Sequence, residues 1–242
     1  MELGENPRFE RLKLTNSPGW SELILELVEK DAGVFLWVHL VIKYLLQGLR
    51  NGDDIEDLQR RLRLTPADYE EYFTYTMNML DRFYLEQATQ LFEVAVCAHK
   101  GLSLMAYTFI HEADPDFAVK SKVEPISVPE IYERFKVMER RLNFRCKGML
   151  EVHHIPNTHI YFSRRVEFLH RTVGDYLQTL AIQKMLKNCK NDSFHVELVL
   201  CKSLLAQIKS LAFECSNQQP FFKLLNSIFR YAQGVERNNS QG

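Results

Sequence analysis

This sequence predicts a mainly α-helical fold, a helical bundle with an embedded winged-helix module that carries one β-hairpin wing. Three observations carry that expectation. Apolar residues recur at steps of 3 and 4 through most of the chain, which is the period of a helix with one buried face. Around residues 149–155 the pattern becomes an alternating, Val- and Ile-bearing one, the mark of a strand. The order over roughly 85–170 is helix, short helix, loop, long helix and hairpin, which is the order of a winged helix.

Ser21 suits the N-cap of a first helix over 21–30, and Asp31-Ala32-Gly33 breaks it. The apolar run 33–49 then predicts a helix to Arg50, whose polar positions His39, Lys43, Gln47 and Arg50 form one narrow stripe on an otherwise apolar surface. Such a helix lies between neighbours. Asn51-Gly52-Asp53-Asp54 is a turn before a short charged helix through Ile55, Leu58 and Leu62. Thr65-Pro66-Ala67-Asp68 reads as an N-cap, a proline at the first helical position and an early acid. The helix it opens places Tyr69, Tyr72, Phe73, Thr76, Leu80 and Phe83 inward.

A further helix spans 85–99, with Ala88, Leu91, Phe92, Ala95 and Val96 inward, and ends at Lys100-Gly101. Ser103 caps a short helix through Ile110. The Pro-, Asp-, Lys- and Ser-rich stretch 114–128 predicts a mobile surface loop. Ser127 and Glu130 make a capping box for a long helix with Ile131, Phe135, Met138, Leu142 and Cys146 inward, ended by Gly148. Residues 149–155 and 159–169, joined at Pro156-Asn157-Thr158, predict the hairpin. Thr172 and Asp175 suggest a capping box for a helix to about Asn188, and two amphipathic helices follow, over 193–213 and 220–231. In domain terms these are an N-terminal extension (1–20), a small helical unit (21–64), a winged-helix-containing domain (65–188), C-terminal helices (189–233) and a disordered tail (234–242).

The 242 residues are 46% hydrophobic and carry a formal charge of -1, which supplies a core but no global field for nucleic acid or an anionic membrane. The run 33–49 is shorter than the ~20 residues a bilayer needs and contains His39 and Lys43, so no membrane span is predicted. Five cysteines without a CxxC pair, and an N-terminus without an apolar signal core, predict a reducing, cytoplasmic location.

No catalytic or metal site is predicted. His195-Val196-Glu197 has the zinc-deaminase spacing of a ligand and a proton shuttle, but the partner PCxxC is absent, and Cys189, Cys201 and Cys215 are spaced for helix faces. His153 and His154 point to opposite faces of a strand, so only one of them could join His159 on a metal. No GxxxxGK[ST] loop exists to cradle phosphates. The long helix carries Arg134, Lys136, Arg140, Arg141, Arg145 and Lys147 against Glu130, Glu133 and Glu139, a modest positive excess that a DNA-recognition helix or a solvated face explains equally.

The run 30–38 (KDAGVFLWV) with LLQGL at 45–49 and NGD at 51–53 resembles the segment that closes the NTPase module of filamentous-fungal NACHT proteins, signalling relatives of animal NOD-like receptors. DLQRRL at 57–62, TPADY at 65–69, Tyr72-Phe73 and Met79-Leu80 continue it in that family's order, and VEFLHRTVGDYL at 166–177 is similar to its FLHRTVRDFL-like motif. The resemblance covers about residues 20–185. It implies a non-enzymatic regulatory or interaction module that closes over a nucleotide-binding NTPase domain, in cis or trans. It also implies ADP or ATP only together with that domain, whose Walker motifs this chain does not contain, and a role in heterokaryon incompatibility or innate immunity. His170 then corresponds to the family's motif histidine, which approaches the β-phosphate of ADP; the plainer reading is that it caps the turn before Thr172. Gly174 departs from the family, which usually has a basic residue there. On this resemblance the chain is either the regulatory remainder of a larger protein or a truncated product. A generic helical interaction scaffold and a DNA-binding winged helix remain the alternatives, and homo-oligomerisation stays open.

Overall fold

The three- and four-residue apolar steps are realised as helix in a computed structural model, which describes residues 17–30, 35–98, 101–189, 194–211 and 219–239. Among these residues the fold is mainly α, with twelve α-helices and a three-stranded antiparallel sheet. The chain forms two compact units, Met1–Met79 and Leu80–Gly242. Most of the predicted extension 1–20, the break at 31–33, His99 and Cys215 lie outside the described residues.

In the first unit, α1 (Ser17–Lys30), α2 (Phe35–Asn51) and α3 (Ile55–Leu64) enclose a core of Leu23, Trp37, Val41, Leu45, Leu46, Leu49, Ile55, Leu58 and Leu62. The first helix starts at Ser17, earlier than the Ser21 cap suggests. Asp54 caps α3 in a reciprocal box with Asp57, and the Lys30 ammonium donates to the carbonyls of Leu62, Arg63 and Thr65, closing the far end. Gly48 leaves room for the ion pair of Arg61 with Asp53, because a Cβ there would lie 2.5 Å from Asp53 Oδ2. The Arg61 guanidinium also sits over the Tyr44 ring, 4.8 Å from its centroid.

Thr65 is not the N-cap of the next helix. Its N–H and hydroxyl bond back to Leu62 and Arg61 at the end of α3, and the cap of α4 (Tyr69–Asn78) is Asp68, whose carboxylate accepts from the N–H groups of Glu70 and Glu71. A carboxylate three residues nearer the free N–H groups simply reaches them better. This helix belongs with the first unit, so the division falls after Met79 and not at 64/65. Trp37 Nε1 donates to the Pro66 carbonyl, the Tyr72 hydroxyl donates to Leu40 O at 3.4 Å, and Tyr44 and Tyr75 meet edge to face. Phe83, expected inside, is 81% exposed.

The second unit opens with a 3-10 turn (Arg82–Tyr84) and α5 (Leu85–Ala98), followed by β1 (Leu102–Ser103), α6 (Leu104–Thr108), α7 (Phe117–Lys120) and α8 (Val128–Arg145). Then come β2 (Leu150–His154), a second 3-10 turn (Ile160–Phe162), β3 (Arg164–Phe168), α9 (Arg171–Leu177), α10 (Leu180–Cys189), α11 (Val196–Lys209) and α12 (Gln219–Asn239). The sheet order β1-β3-β2, with Leu102 opposite Val166 and Val152 on its other side, completes the winged helix. Strand β1, two residues entered through Gly101 at φ +73°, carries too little pattern to read from sequence. The second hairpin strand starts only at Arg164, because His159 caps the 3-10 turn instead of extending.

Ile131, Phe135, Met138, Leu142 and Cys146 are all buried, as their spacing predicts. Ser127 Oγ caps α8 by accepting from Glu130 N–H, while the Glu130 carboxylate pairs with Arg134 at 3.0 Å. The stretch 114–128 is a docked segment and not a free loop. It contains α7, Glu124 N–H donates to Lys209 O, Ile126 N–H donates to Ser210 O, and the Lys209 ammonium donates to the carbonyls of Val119 and Ser121. Such long-range backbone pairing leaves no signal in local composition.

The C-terminal helices belong to this same unit. Gln207 Nε2 donates to Ser103 Oγ at 2.7 Å, and the buried Tyr161 hydroxyl donates to Gln207 O at 2.8 Å. The predicted helix 172–188 is two helices, since Gln178 caps α9 and Thr179 turns back onto Tyr176 O. α12 runs to Asn239, past the tail boundary predicted at 234, because Gly234 lies against the Glu197 side chain of α11 and so keeps the helix packed.

Candidate functional site

His170 occupies the N-cap of α9 at the end of β3, an exposed position in extended backbone. Its Nδ1 accepts the Thr172 N–H at 3.3 Å and stands 3.0 Å from Thr172 Oγ1. The cap is therefore His170 itself, not Thr172, whose pairing with Asp175 does not form the box. An imidazole that accepts a backbone N–H at Nδ1 must, when neutral, carry its hydrogen on Nε2. The exposed side of the ring is thus a hydrogen-bond donor. Next to it, the Phe168 ring fills the space over Gly174, 3.1 Å from where a Cβ would stand, so the glycine accommodates an aromatic and leaves no place for a basic side chain.

Of the cations weighed for DNA contact, the five that lie within α8, Arg134, Lys136, Arg140, Arg141 and Arg145, do not share one face of the helix. At about 100° per residue, Arg134, Arg141 and Arg145 form one stripe, and Lys136 with Arg140 another about 140° away. Arg134 is engaged by Glu130 and lies 5.2 Å from the Phe109 ring centroid, while Arg145 lies 5.0 Å from that of Tyr84. Lys136 and Arg140 are exposed, with Val137 and Phe144 also exposed on the helix.

The other singled-out groups lie apart from one another. His159 Nδ1 accepts from Tyr161 N–H, and His153 lies 3.7 Å from Glu151, so the three hairpin histidines do not converge. His195 stands at the N-cap position of α11, and the Cys201 thiol donates to Ile228 O of α12. Among the described residues no group of three or more His, Cys, Asp or Glu is placed to hold a metal. Burial pushes the Cys97 thiol up to about 11 and raises those of Cys146 and Cys201 as well, the opposite of what a nucleophilic thiolate needs. Among the described residues no helix is long and apolar enough to cross a membrane.

Two open clefts mark the second unit. The larger, about 610 Å³, lies between the docked segment and α8, with Phe109, Glu130, Arg134 and Ser210 on its walls. The smaller, about 370 Å³, is lined by Gln87, His111, Asp114 and Lys202 among others. Sequence reading missed His111, which is half-buried after α6; burial, then the charges of Arg145 and Arg141, hold its pKa down at about 4. No local pattern could have singled it out, since its neighbours come from other elements.

A protein-family model described as "Domain of unknown function (DUF7791)" matches residues 79–219, more than half of the chain. This chain belongs to the DUF7791 family. The match runs from the last residue of the first compact unit to the first residue of α12, so the DUF7791 region is the winged helix with α9, α10 and α11. No curated protein and no solved structure matches the chain.

Proposed function

We propose that this DUF7791 protein is a non-enzymatic regulatory module that works by contact with a nucleotide-binding NTPase domain, in cis or in trans, and reports its nucleotide state through His170. The observation that supports this reading is the ring's arrangement: Nδ1 is committed to the cap of α9, and the opposite nitrogen is an outward donor suited to a phosphate oxygen. The resemblance of residues 166–177 to the NACHT motif points the same way. In this reading the chain takes ADP or ATP only through the partner domain, and losing the donor shifts the balance between two nucleotide states.

The test separates the two nitrogens. In a complex with a cognate NTPase domain, His170→Asn keeps an N-cap acceptor but removes the Nε2 donor. Faster ADP release with an unchanged fold supports the reading, and ADP retention equal to wild type overturns it.

A second reading, an interaction scaffold that self-associates, draws on α12, where Phe222 and Phe229 are 53% and 59% exposed one heptad apart. Sedimentation equilibrium of wild type against Phe222→Glu with Phe229→Glu tests it: dimer lost in the variant supports it, and a monomeric wild type removes it.

A further inference from the structure

Three aromatic rings meet edge to face where the 3-10 turn Arg82–Tyr84 reaches the C-terminal end of α8, all within the second unit. The Phe83 ring centroid lies 4.8 Å from that of Tyr84, and the Tyr84 centroid lies 5.5 Å from that of Phe144, with interplanar angles of 82° and 88°. Phe83 is 81% exposed and Phe144 47%. The Arg145 guanidinium lies over the Tyr84 ring at 5.0 Å and the Lys147 ammonium over the Phe144 ring at 4.8 Å, so rings and cations form one connected patch. Arg141, exposed, precedes Phe144 by three residues and Arg145 by four, the spacing of neighbours on a helix surface.

The charge of this patch is positive. On α8 the ion pairs go to Arg134 and Lys136, and among the described residues no carboxylate pairs with Arg141, Arg145 or Lys147. The Asp81 carboxylate is committed to the cap of the 3-10 turn, where it accepts the Phe83 N–H, and Glu86 accepts from Gln90 along α5. Cations at a helix C-terminus complement its dipole, which gives Arg145 and Lys147 a structural role. That role explains neither Arg141 nor the two phenyl rings left in water. Lys147 reaches Phe144 from left-handed backbone at φ +49°, a conformation that few residues other than glycine adopt.

The geometry discriminates among partners. A nucleic-acid base stacks on a ring face, and here Tyr84 and Phe144 each already carry a cation over a face. A bilayer takes up apolar surface, and of the three rings Phe83 alone is mostly exposed. Aromatic and arginine side chains around an apolar centre make up protein–protein contacts, and unpaired cations beside them select an acidic partner. We propose that Phe83, Tyr84 and Phe144, with Arg141, Arg145 and Lys147, form a docking surface for an acidic peptide segment of a partner protein. An apolar side chain of that segment packs against Phe83 and Phe144, and flanking carboxylates meet Arg141 and Lys147. This surface does not include His170 and does not depend on the nucleotide reading.

The probe is a phage-displayed library of random dodecapeptides selected against the full chain, with enriched peptides resynthesised and their Kd measured by fluorescence anisotropy. The expected peptides share an apolar residue flanked by Asp or Glu, and their affinity falls as salt rises. Arg141→Glu and Phe83→Ser, both at exposed positions, are each expected to weaken binding about tenfold while leaving the urea unfolding midpoint unchanged. Lys147→Asn, which suits the left-handed φ, is expected to act in the same direction. No enrichment, enrichment of basic or uncharged peptides, or binding unchanged in both Arg141→Glu and Phe83→Ser overturns the surface. Binding to phosphatidylserine vesicles or to poly(U) that is lost in Phe83→Ser overturns it in favour of a membrane or a single-stranded RNA. Self-association abolished by Phe83→Ser overturns it in favour of a second copy of this chain.

Discussion

The backbone N–H of Thr172 donates to the imidazole Nδ1 of His170, and that bond decides both the start of α9 and the tautomer of the ring. Removing the acceptor with His170→Ala is expected to cost about 1 kcal/mol, the ordinary loss of an N-cap, and His170→Asn to restore most of it. Urea unfolding of the three proteins checks the order. A long-range proton–nitrogen spectrum of the neutral wild type should show the hydrogen on Nε2; finding it on Nδ1 would remove the basis of the donor argument.

The pH dependence of stability follows from His111. Its folded-state pKa is lowered, chiefly by burial and then by Arg145 and Arg141, to about 4 from 6.5. Between those values the unfolded chain holds more protons at this site than the native one, so stability rises with pH through the window and is lost as pH falls from 6.5 towards 4. The contribution at stake is about 3 kcal/mol at pH 4. His111→Gln should flatten the slope of unfolding free energy against pH in that window, as measured by denaturant titration at several pH values. An unchanged slope would mean the imidazole is solvated.

Tyr161 joins the wing to α11 by donating to Gln207 O, with Ser210 Oγ also in contact. Tyr161→Phe keeps the ring in its buried place and leaves the Gln207 carbonyl without that donor, at an expected cost of about 1–3 kcal/mol. The midpoint in urea should fall with the slope unchanged. A near-zero effect would mean that the two elements are held by apolar packing alone.

Gly174→Arg introduces the kind of residue the NACHT motif usually has at this place. Here the Phe168 ring would stand 3.1 Å from the new Cβ, so overpacking of about 1–3 kcal/mol opposes a gain of up to about 1 kcal/mol in helix propensity. Net destabilisation is expected in thermal unfolding, with recovery in the Gly174→Arg, Phe168→Ala double variant.

Duplex DNA should give no salt-sensitive gel shift. The cations of α8 are split between two stripes, and Val137 and Phe144 are exposed on the same helix. A shift abolished by Arg140→Glu with Arg141→Glu would revive the DNA-binding alternative.

The helices were legible wherever a local rule acts. The five apolar positions of α8 declare its buried face, Ser103 and Ser127 declare their caps, and Gly148 at φ +82° marks a stop because few other residues adopt that conformation. Where two local rules competed, as at Thr65 and Asp68 or His170 and Thr172, the choice rested on which side chain reached the free N–H groups. Stretch 114–128 looked loose because its partners, Lys209 and Ser210, are far along the chain. His170 stood out through the resemblance alone, and His111 not at all.

By itself, then, the sequence determined the helical class, the winged-helix order and the buried stripes, because propensity, capping and periodicity act over a few residues. Tertiary structure alone decided that residues 65–79 pack with the first unit, that α12 continues to Asn239, and that His111 is buried where the charges of Arg145 and Arg141 act on it. Desolvation and hydrogen-bond partnership are set by atoms near in space, and those neighbours come from elements remote in the chain.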